Sequence, residues 1–212
     1  MIFFKNIRLT WKKLYMKKTI LFASILFFSI NSIAQSNIAT VKKIQGLYIF
    51  SDNEPISDYT VFGEISISTQ DALNDLNIKN SGGQYQPCRD FLITKTRLSN
   101  NMADGIILNL INGGIDKAII IKFKENAVNK DYAKVNKYQG VYTFIDCEPN
   151  NKYQSLGTVK FKKELSFKSS QYSSVRDVLI KRTLKEYNNS NGIILRLVTG
   201  GADLGESILI KE

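Results

Sequence analysis

The sequence predicts an α+β fold: a tandem duplication of a ββαββ module, each copy a mostly antiparallel sheet with one helix, the two packed as a pseudo-two-fold pair. Three observations predict it. A long ordered series of residues occurs twice in the 212-residue chain. Within each copy, segments with a strand-like pattern flank one segment of helical period. And Ile106–Ile111 is apolar without alternation, so it needs cover on both faces.

The repeat comes first because it organises everything else. Gln45-Gly46-Leu47-Tyr48-Ile49-Phe50-Ser51-Asp52-Asn53-Glu54-Pro55 returns as Gln139-Gly140-Val141-Tyr142-Thr143-Phe144-Ile145-Asp146-Cys147-Glu148-Pro149. The offset of 94 residues still holds at Tyr59/Tyr153 and Gly63/Gly157, then falls to 87. At the new offset Gln84-Tyr85 matches Gln171-Tyr172, Arg89-Asp90 matches Arg176-Asp177, and Gly105-Ile106-Ile107-Leu108 matches Gly192-Ile193-Ile194-Leu195. Copy one therefore carries 7 extra residues between Gly63 and Gln84. The copies span 43–125 and 137–212, and the polar, Pro-free stretch 126–136 is the expected linker.

Residues 1–34 are expected to lie outside the fold. Met16-Lys17-Lys18, the apolar run Thr19–Ile30 and Ser32-Ile33-Ala34 form a basic region, an apolar core and a small-x-small cleavage site, the pattern of a secretory signal. The run is shorter than the about 20 residues a membrane-spanning helix needs, and no Cys sits near the cut to carry a lipid. Residues 1–15 precede a second start at Met16 and read as an upstream extension. Of 29 basic residues, six fall before Gln35 with no acid among them, which leaves 23 against 19 acidic, a net +4 rather than +10. Nucleic-acid binding needs a clustered basic face, so no nucleic-acid partner is expected.

Each element follows in order. Gly46–Phe50 reads as a strand that ends in a D-x-E-P turn, and Tyr59–Ser68 as a second, with Val61, Ile65 and Ile67 interleaved by polar residues. Pro87 suits the first turn of a helix running to Ser99; its counterpart begins at an N-cap of Ser173 or Ser174 and runs to Tyr187. Cys88, Phe91, Leu92 and the Lys95 stem form one helical face, as do Val175, Val178, Leu179 and the Arg182 stem. Ile106–Ile111 and Ala118–Phe123 form a hairpin around Asn112-Gly113-Gly114. One helix covers one face of such a sheet, and the other copy is the nearest cover for the second face.

The Tyr153, Leu156, Gly157, Val159 strand, the Arg-bearing helix and the Gly-Ile-Ile strand resemble the small bacterial ββαββ modules of the heavy-metal-binding family and the Rcs envelope-stress lipoprotein. The resemblance covers most of each copy in layout and a few residues in identity; copy one has Phe62 where the pattern has Leu. It implies oligomerising or sensing modules rather than enzymes. The metal-binding label does not transfer, because no ligand residue of that family can be matched here.

Candidate chemistry is sparse. With no His, the commonest base near neutral pH is missing, and two Cys cannot build a zinc site without it. Arg89 and Arg176 sit in the first helical turn and could pair with the acids of the D-x-E-P turn, Asp52 and Glu54 or Asp146 and Glu148. Such a set is either a ligand pocket for an anion or an ion pair within one module, and the second is favoured. Calcium at Asp52, Glu54 and Asp58, or at Asp146 and Glu148, lacks the glycine spacing of a shaped loop, so no metal or cofactor is expected. The matched Tyr48/Tyr142, Tyr59/Tyr153 and Tyr85/Tyr172 suit packing better than stacking on a sugar. Lys160, Lys162, Lys163 and Lys168 read as a guarded strand edge; an anionic surface is the alternative. Cys88 and Cys147 occupy non-equivalent positions, and export would permit a disulfide between them.

The expectation is thus a non-enzymatic, exported interaction or sensing module of the bacterial envelope, secreted or periplasmic. Its partner would be a protein or envelope component, with no membrane span after cleavage and a chain kept monomeric by internal pairing. The alternatives are a small-anion or glycan binder, and a hydrolase with paired carboxylates. N-terminal sequencing of exported protein should return Gln35 first; finding residues 1–15 would refute both the start and the cleavage site.

Overall fold

The computed structural model describes residues 37–75, 85–111, 114–161, 172–197 and 203–211, all within one compact unit, Ser36–Glu212. It is α+β, with mostly antiparallel sheets. The first half runs β1 (Ile38–Val41), β2 (Lys43–Ile44), β3 (Leu47–Ser51), β4 (Asn53–Pro55), β5 (Tyr59–Ser66), α1 (Thr69–Asn74), α2 (Tyr85–Ser99), β6 (Gly105–Ile111) and β7 (Gly114–Phe123). The second runs β8 (Tyr132–Val135), β9 (Lys137–Tyr138), β10 (Val141–Ile145), β11 (Cys147–Pro149), β12 (Tyr153–Phe161), α3 (Tyr172–Glu186), β13 (Gly192–Arg196) and β14 (Asp203–Ile210).

Two five-stranded sheets have the orders β2-β3-β6-β7-β5 and β9-β10-β13-β14-β12. In each, β3 or β10 pairs in parallel with the strand after the helix, β6 or β13, Tyr48 against Gly105 and Tyr142 against Gly192. Parallel neighbours need a crossover, and the edge strand with the helix supplies it. Both sheets open with a two-residue hairpin absent from the sequence reading. Gln45-Gly46 and Gln139-Gly140 all have positive φ, the type I′ geometry whose twist matches the flanking strands. β5 and β12 each carry a bulge, between Val61 and Gly63 and between Ser155 and Gly157.

A third sheet, β11-β1-β8-β4, takes strands alternately from the two halves. Ala39 faces Ala133, Cys147 faces Val41 and Asn53 faces Val135. Residues 132–135, expected as linker, are therefore strand β8. Their alternation of buried Ala133 and Val135 with exposed Lys134 is too short to distinguish from a polar connection by pattern alone.

The core lies on both faces of the five-stranded sheets, in two clusters that each draw on both halves. Under the helices are Leu47, Ile49, Leu92, Ile93, Ile106 and Leu108 with Val141, Ile145, Leu179, Ile180, Ile193 and Leu195. On the opposite faces Phe50, Ile107 and Ile121 meet Phe144, Ile194 and Ile208, closed over by Ala39, Val41, Ala133 and Val135 of the third sheet. Ile106 and Leu108 thus bury one way and Ile107 the other, as the unalternating run requires; the side chains of Leu110 and Ile111 lie outside the description.

Several local expectations need correction. α3 starts at Tyr172 rather than after a serine cap. Phe91 and Val178 are only partly buried; Ile93, Thr96, Ile180 and Thr183 complete the inner faces instead. Val61 is 62% exposed; the bulge between Val61 and Gly63 breaks its alternation with Ile65 and Ile67. In the stretch between Gly63 and Gln84 that holds the 7 extra residues the chain forms α1, started by a capping box of Ser68 and Asp71. Lys162, Lys163, Lys168 and the Asn112-Gly113 turn lie outside the described residues.

Residues 43–125 expressed alone should aggregate, dimerise or unfold. Without the other half, Phe50, Ile107 and Ile121 face water, at roughly 1.5–3 kcal/mol each, a large share of a domain's stability. The full chain should melt in one transition by calorimetry. A monomeric 43–125 as stable as the whole chain would refute the shared core.

Candidate functional site

The matched Arg, Asp and Tyr residues meet, but across the halves rather than within them. Asp52 follows β3 and Asp146 follows β10, with φ of 56° and 51°. This left-handed conformation is uncommon for non-glycine residues and best tolerated by Asn and Asp. There the chain leaves its own five-stranded sheet and enters the third, and the aspartate is carried to the helix start of the other half. Tyr85 and Tyr172 are the first residues of α2 and α3, and Arg89 and Arg176, four residues on, share their face.

Arg89 Nη1 donates to both carboxylate oxygens of Asp146, each at 2.9 Å. Tyr85 donates its hydroxyl to Asp146 Oδ2 and also contacts Ser51 Oγ. In the mirror arrangement Arg176 Nη1 donates to Asp52 Oδ2 at 3.3 Å, Tyr172 to the same oxygen at 2.9 Å, and Tyr138 to Asp52 Oδ1 at 2.6 Å. Asn136 Nδ2 reaches the Asp52 carbonyl at 2.8 Å. Arg89 and Arg176 are each held from behind by the next residue, Asp90 and Asp177, at 2.9 Å. The Arg176 guanidinium lies 3.6 Å from the centre of the Tyr138 ring, and the Tyr85 and Tyr172 rings stand 6.1 Å apart.

The paired side chains are only 11–13% exposed. Burial, then the Asp146 charge, pushes the Tyr85 hydroxyl well above its usual range, and burial with Asp52 does the same to Tyr172. Tyr138 is pushed up to about 12 by burial and its bond to Asp52. Burial works against the Arg89 charge, but the Asp146 carboxylate more than offsets it and the pKa rises. Every polar head in the two clusters is thus neutralised by its neighbours.

Glu54 and Glu148 take no part. They lie on β4 and β11, Glu54 exposed and paired through its backbone with Lys134, Glu148 with Thr40. Cys88 and Cys147 are not bridged. The turn of one half does meet the helix start of the other, but side chains alternate along a strand: Asp146 points to the helix, and Cys147 points into the opposite cluster, apart from Cys88. There the Cys147 thiol accepts from Asn53 Nδ2 at 3.6 Å, and burial pushes its pKa up to about 12. Among the matched tyrosines Tyr153 is exposed, while Tyr48, Tyr59 and Tyr142 pack against the second cluster. Among the described residues no group of three or more His, Cys, Asp or Glu is placed to hold a metal ion, and no helix is long and apolar enough to cross a membrane. Tyr138 and Ser51 escaped the sequence reading because their repeat counterparts, Ile44 and Ile145, lack the hydroxyl.

Compared with known proteins, the chain matches no family model, no curated protein and no solved structure.

Asp52→Asn keeps the shape and tolerates the left-handed backbone but removes the charge that the Tyr138 and Tyr172 hydroxyls and Arg176 share, leaving Arg176 with Asp177 alone. Urea unfolding of the full chain should show a loss of about 1–3 kcal/mol, and Asp146→Asn a similar loss. Alkaline titration gives a second check. Because the folded pKa of Tyr138 lies above its unfolded value near 10, the stability it contributes is complete below about pH 10 and is lost as pH climbs through about 12. Followed by ultraviolet absorbance, Tyr85, Tyr138 and Tyr172 should remain un-ionised in the native protein at about pH 11 and titrate only with unfolding. Free ionisation of all ten tyrosines near the usual value would refute the buried network.

Proposed function

We propose that the chain is one ββαββ module duplicated in tandem, with the copies packed as a pseudo-two-fold pair. We further propose that it serves as an exported, non-enzymatic interaction or sensing module of the bacterial envelope. One observation carries this reading: the residues best suited to chemistry are engaged with one another across the halves. Arg89 and Asp146, and Arg176 with Asp52, neutralise each other in near-complete burial, and the tyrosines beside them donate to the same carboxylates.

The symmetry reading is supported by the registers. Ala39 pairs with Ala133, Asn53 contacts Cys147, and each of these pairs is 94 residues apart, the offset of the repeat. Positions equivalent in sequence therefore meet each other, as they must on a two-fold axis. Matching strand orders, matching left-handed residues and matching bulges support a common module.

A small-anion or glycan binder at the matched Tyr and Arg positions would need those groups open to a ligand, and a hydrolase would need two carboxylates about 5–10 Å apart in a cleft. Asp52 and Asp146 are instead each closed off by an arginine and at least one phenol. The resemblance to envelope modules and the signal-like N-terminus point to export.

A broad panel of esters, glycosides, phosphoesters and peptides should show no turnover. Activity lost on Asp146→Asn, with the fold retained by circular dichroism, would overturn the non-enzymatic reading. Expression with a C-terminal tag and fractionation should place the chain in the periplasm or medium; retention in the cytosol would overturn export.

A further inference from the structure

Two buried hydroxyls of the second half have no hydrogen-bond partner, Thr183 Oγ1 on α3 and Ser207 Oγ on β14. Both residues are fully enclosed, at 0% exposure. They belong to one layer. A Cβ at Gly205 would touch Ile193 and Val159 of the cluster under the helices; this marks the face of β14 turned toward α3, and Ser207, two residues on, shares it. In register Ser207 stands between Gly157 of β12 and Ile193 of β13. A Cβ at Gly157 would run into the Tyr187 hydroxyl. Tyr187 lies one turn beyond Thr183, and long side chains on a helix lean back toward its N-terminus. The hydroxyls of Tyr187 and Ser207 therefore both lie beside Gly157, and Thr183, one turn before Tyr187 on the inner face of α3, faces the same sheet.

The first half supplies an internal control. In its matching layer Ile120 stands between Gly63 and Ile106. Thr96, the counterpart of Thr183, turns its hydroxyl onto the Leu92 carbonyl of its own helix at 2.8 Å. Thr183 has the equivalent carbonyl, that of Leu179, four residues back and leaves it unused. Where the first half has apolar bulk and a satisfied threonine, the second has two unsatisfied hydroxyls and a tyrosine brought over a glycine. The fold alone requires neither.

We infer that a single water molecule is an integral part of the second half, bound beneath α3 by the hydroxyls of Thr183, Ser207 and Tyr187. Buried water settles where about two to four polar groups converge. Here all three are neutral groups that can both donate and accept, which suits water rather than an ion. The inference does not depend on the exported, non-enzymatic reading.

Oxygen-17 relaxation dispersion on the purified protein counts long-lived internal waters. Wild type should show about one more than Ser207→Ala. Thr183→Ser, which keeps the hydroxyl, should match wild type. Ser190→Ala is the control, since the Ser190 hydroxyl already donates within the protein near the Gly192 and Ile208 carbonyls, and it should leave the count unchanged. A high-resolution crystal structure of the wild type should show density within hydrogen-bond distance of Thr183 and Ser207, and decides the matter alone if Ser207→Ala fails to fold. Equal dispersion in wild type and Ser207→Ala, or a dry layer with Thr183 bonded to the Leu179 carbonyl, overturns the inference.

Discussion

Each half of this protein delivers an aspartate into the helix start of the other half, and the rest of the structure is arranged around that exchange. The left-handed backbone at Asp52 and Asp146 sends the chain out of one sheet and into the third, where β1 and β8 lie side by side. Buried ion pairs are poor sources of net stability, because desolvation consumes most of the attraction. Their effect is on alternatives: a placement that separated the halves' matched residues would leave Asp52 and Asp146 without their arginines and Arg89 and Arg176 with only Asp90 and Asp177. The apolar clusters supply the driving force for association, and the ion pairs select one register from the many that two greasy sheet faces would accept.

The two exchanges are alike without being identical, and the differences favour pairing of unlike halves. Tyr138 serves Asp52 alone, since Ile44 stands in its place on the other side, and Ser51 contacts Tyr85 where Ile145 offers nothing to Tyr172. At the contact between β4 and β11, Asn53 meets Cys147. Two first halves brought together would face asparagine with asparagine and would leave each aspartate without its Tyr138. Unsatisfied polar groups in a dry interface are costly, so a chain that carries both halves satisfies itself better than either half could with its own kind.

Much of the architecture is legible in the sequence because so many residues recur in the same order, at an offset of 94 and then of 87 residues. The matched segments mark the helix at Tyr85–Ser99 and its counterpart, the pairing of β6 with β7, and the need for cover on both faces of Ile106–Leu108, but not β1 or β8, which fall outside the expected copies. The third sheet is not legible, because β1, β4, β8 and β11 are three or four residues long and their partners lie in the other half; so short a strand has no periodicity to detect. The site is legible as a set and misassigned as a connection. Arg, Asp and Tyr recur together, but one sequence repeated cannot say whether a repeat unit pairs within itself or with its twin, since both satisfy the same pattern. The cysteines show a related limit: spacing brings the right turn to the right helix, while strand alternation, a matter of single-residue register, sends Cys147 to the wrong side for a bridge.

The same logic explains which positions could drift apart between the halves. In register, the layer Gly157–Ser207–Ile193 is built from three neighbouring strands of one half, so a change in strand packing there can be met within that sheet. Ile120 in one half and Ser207 in the other, with Asn100 against Tyr187, are such a local exchange of bulk and polarity. A residue of the crossing network has a partner in the other half, and its loss removes that partner's contact across the halves. Arg89 and Arg176, Asp52 and Asp146, Tyr85 and Tyr172 are identical between the halves, as are core pairs such as Phe50 and Phe144, Leu92 and Leu179, and Ile107 and Ile194 in the clusters that both halves build. Because the six network residues contact one another, substitutions among them are expected to couple rather than add, so the mirrored networks, joined at the Tyr85–Tyr172 contact, act as one cooperative element.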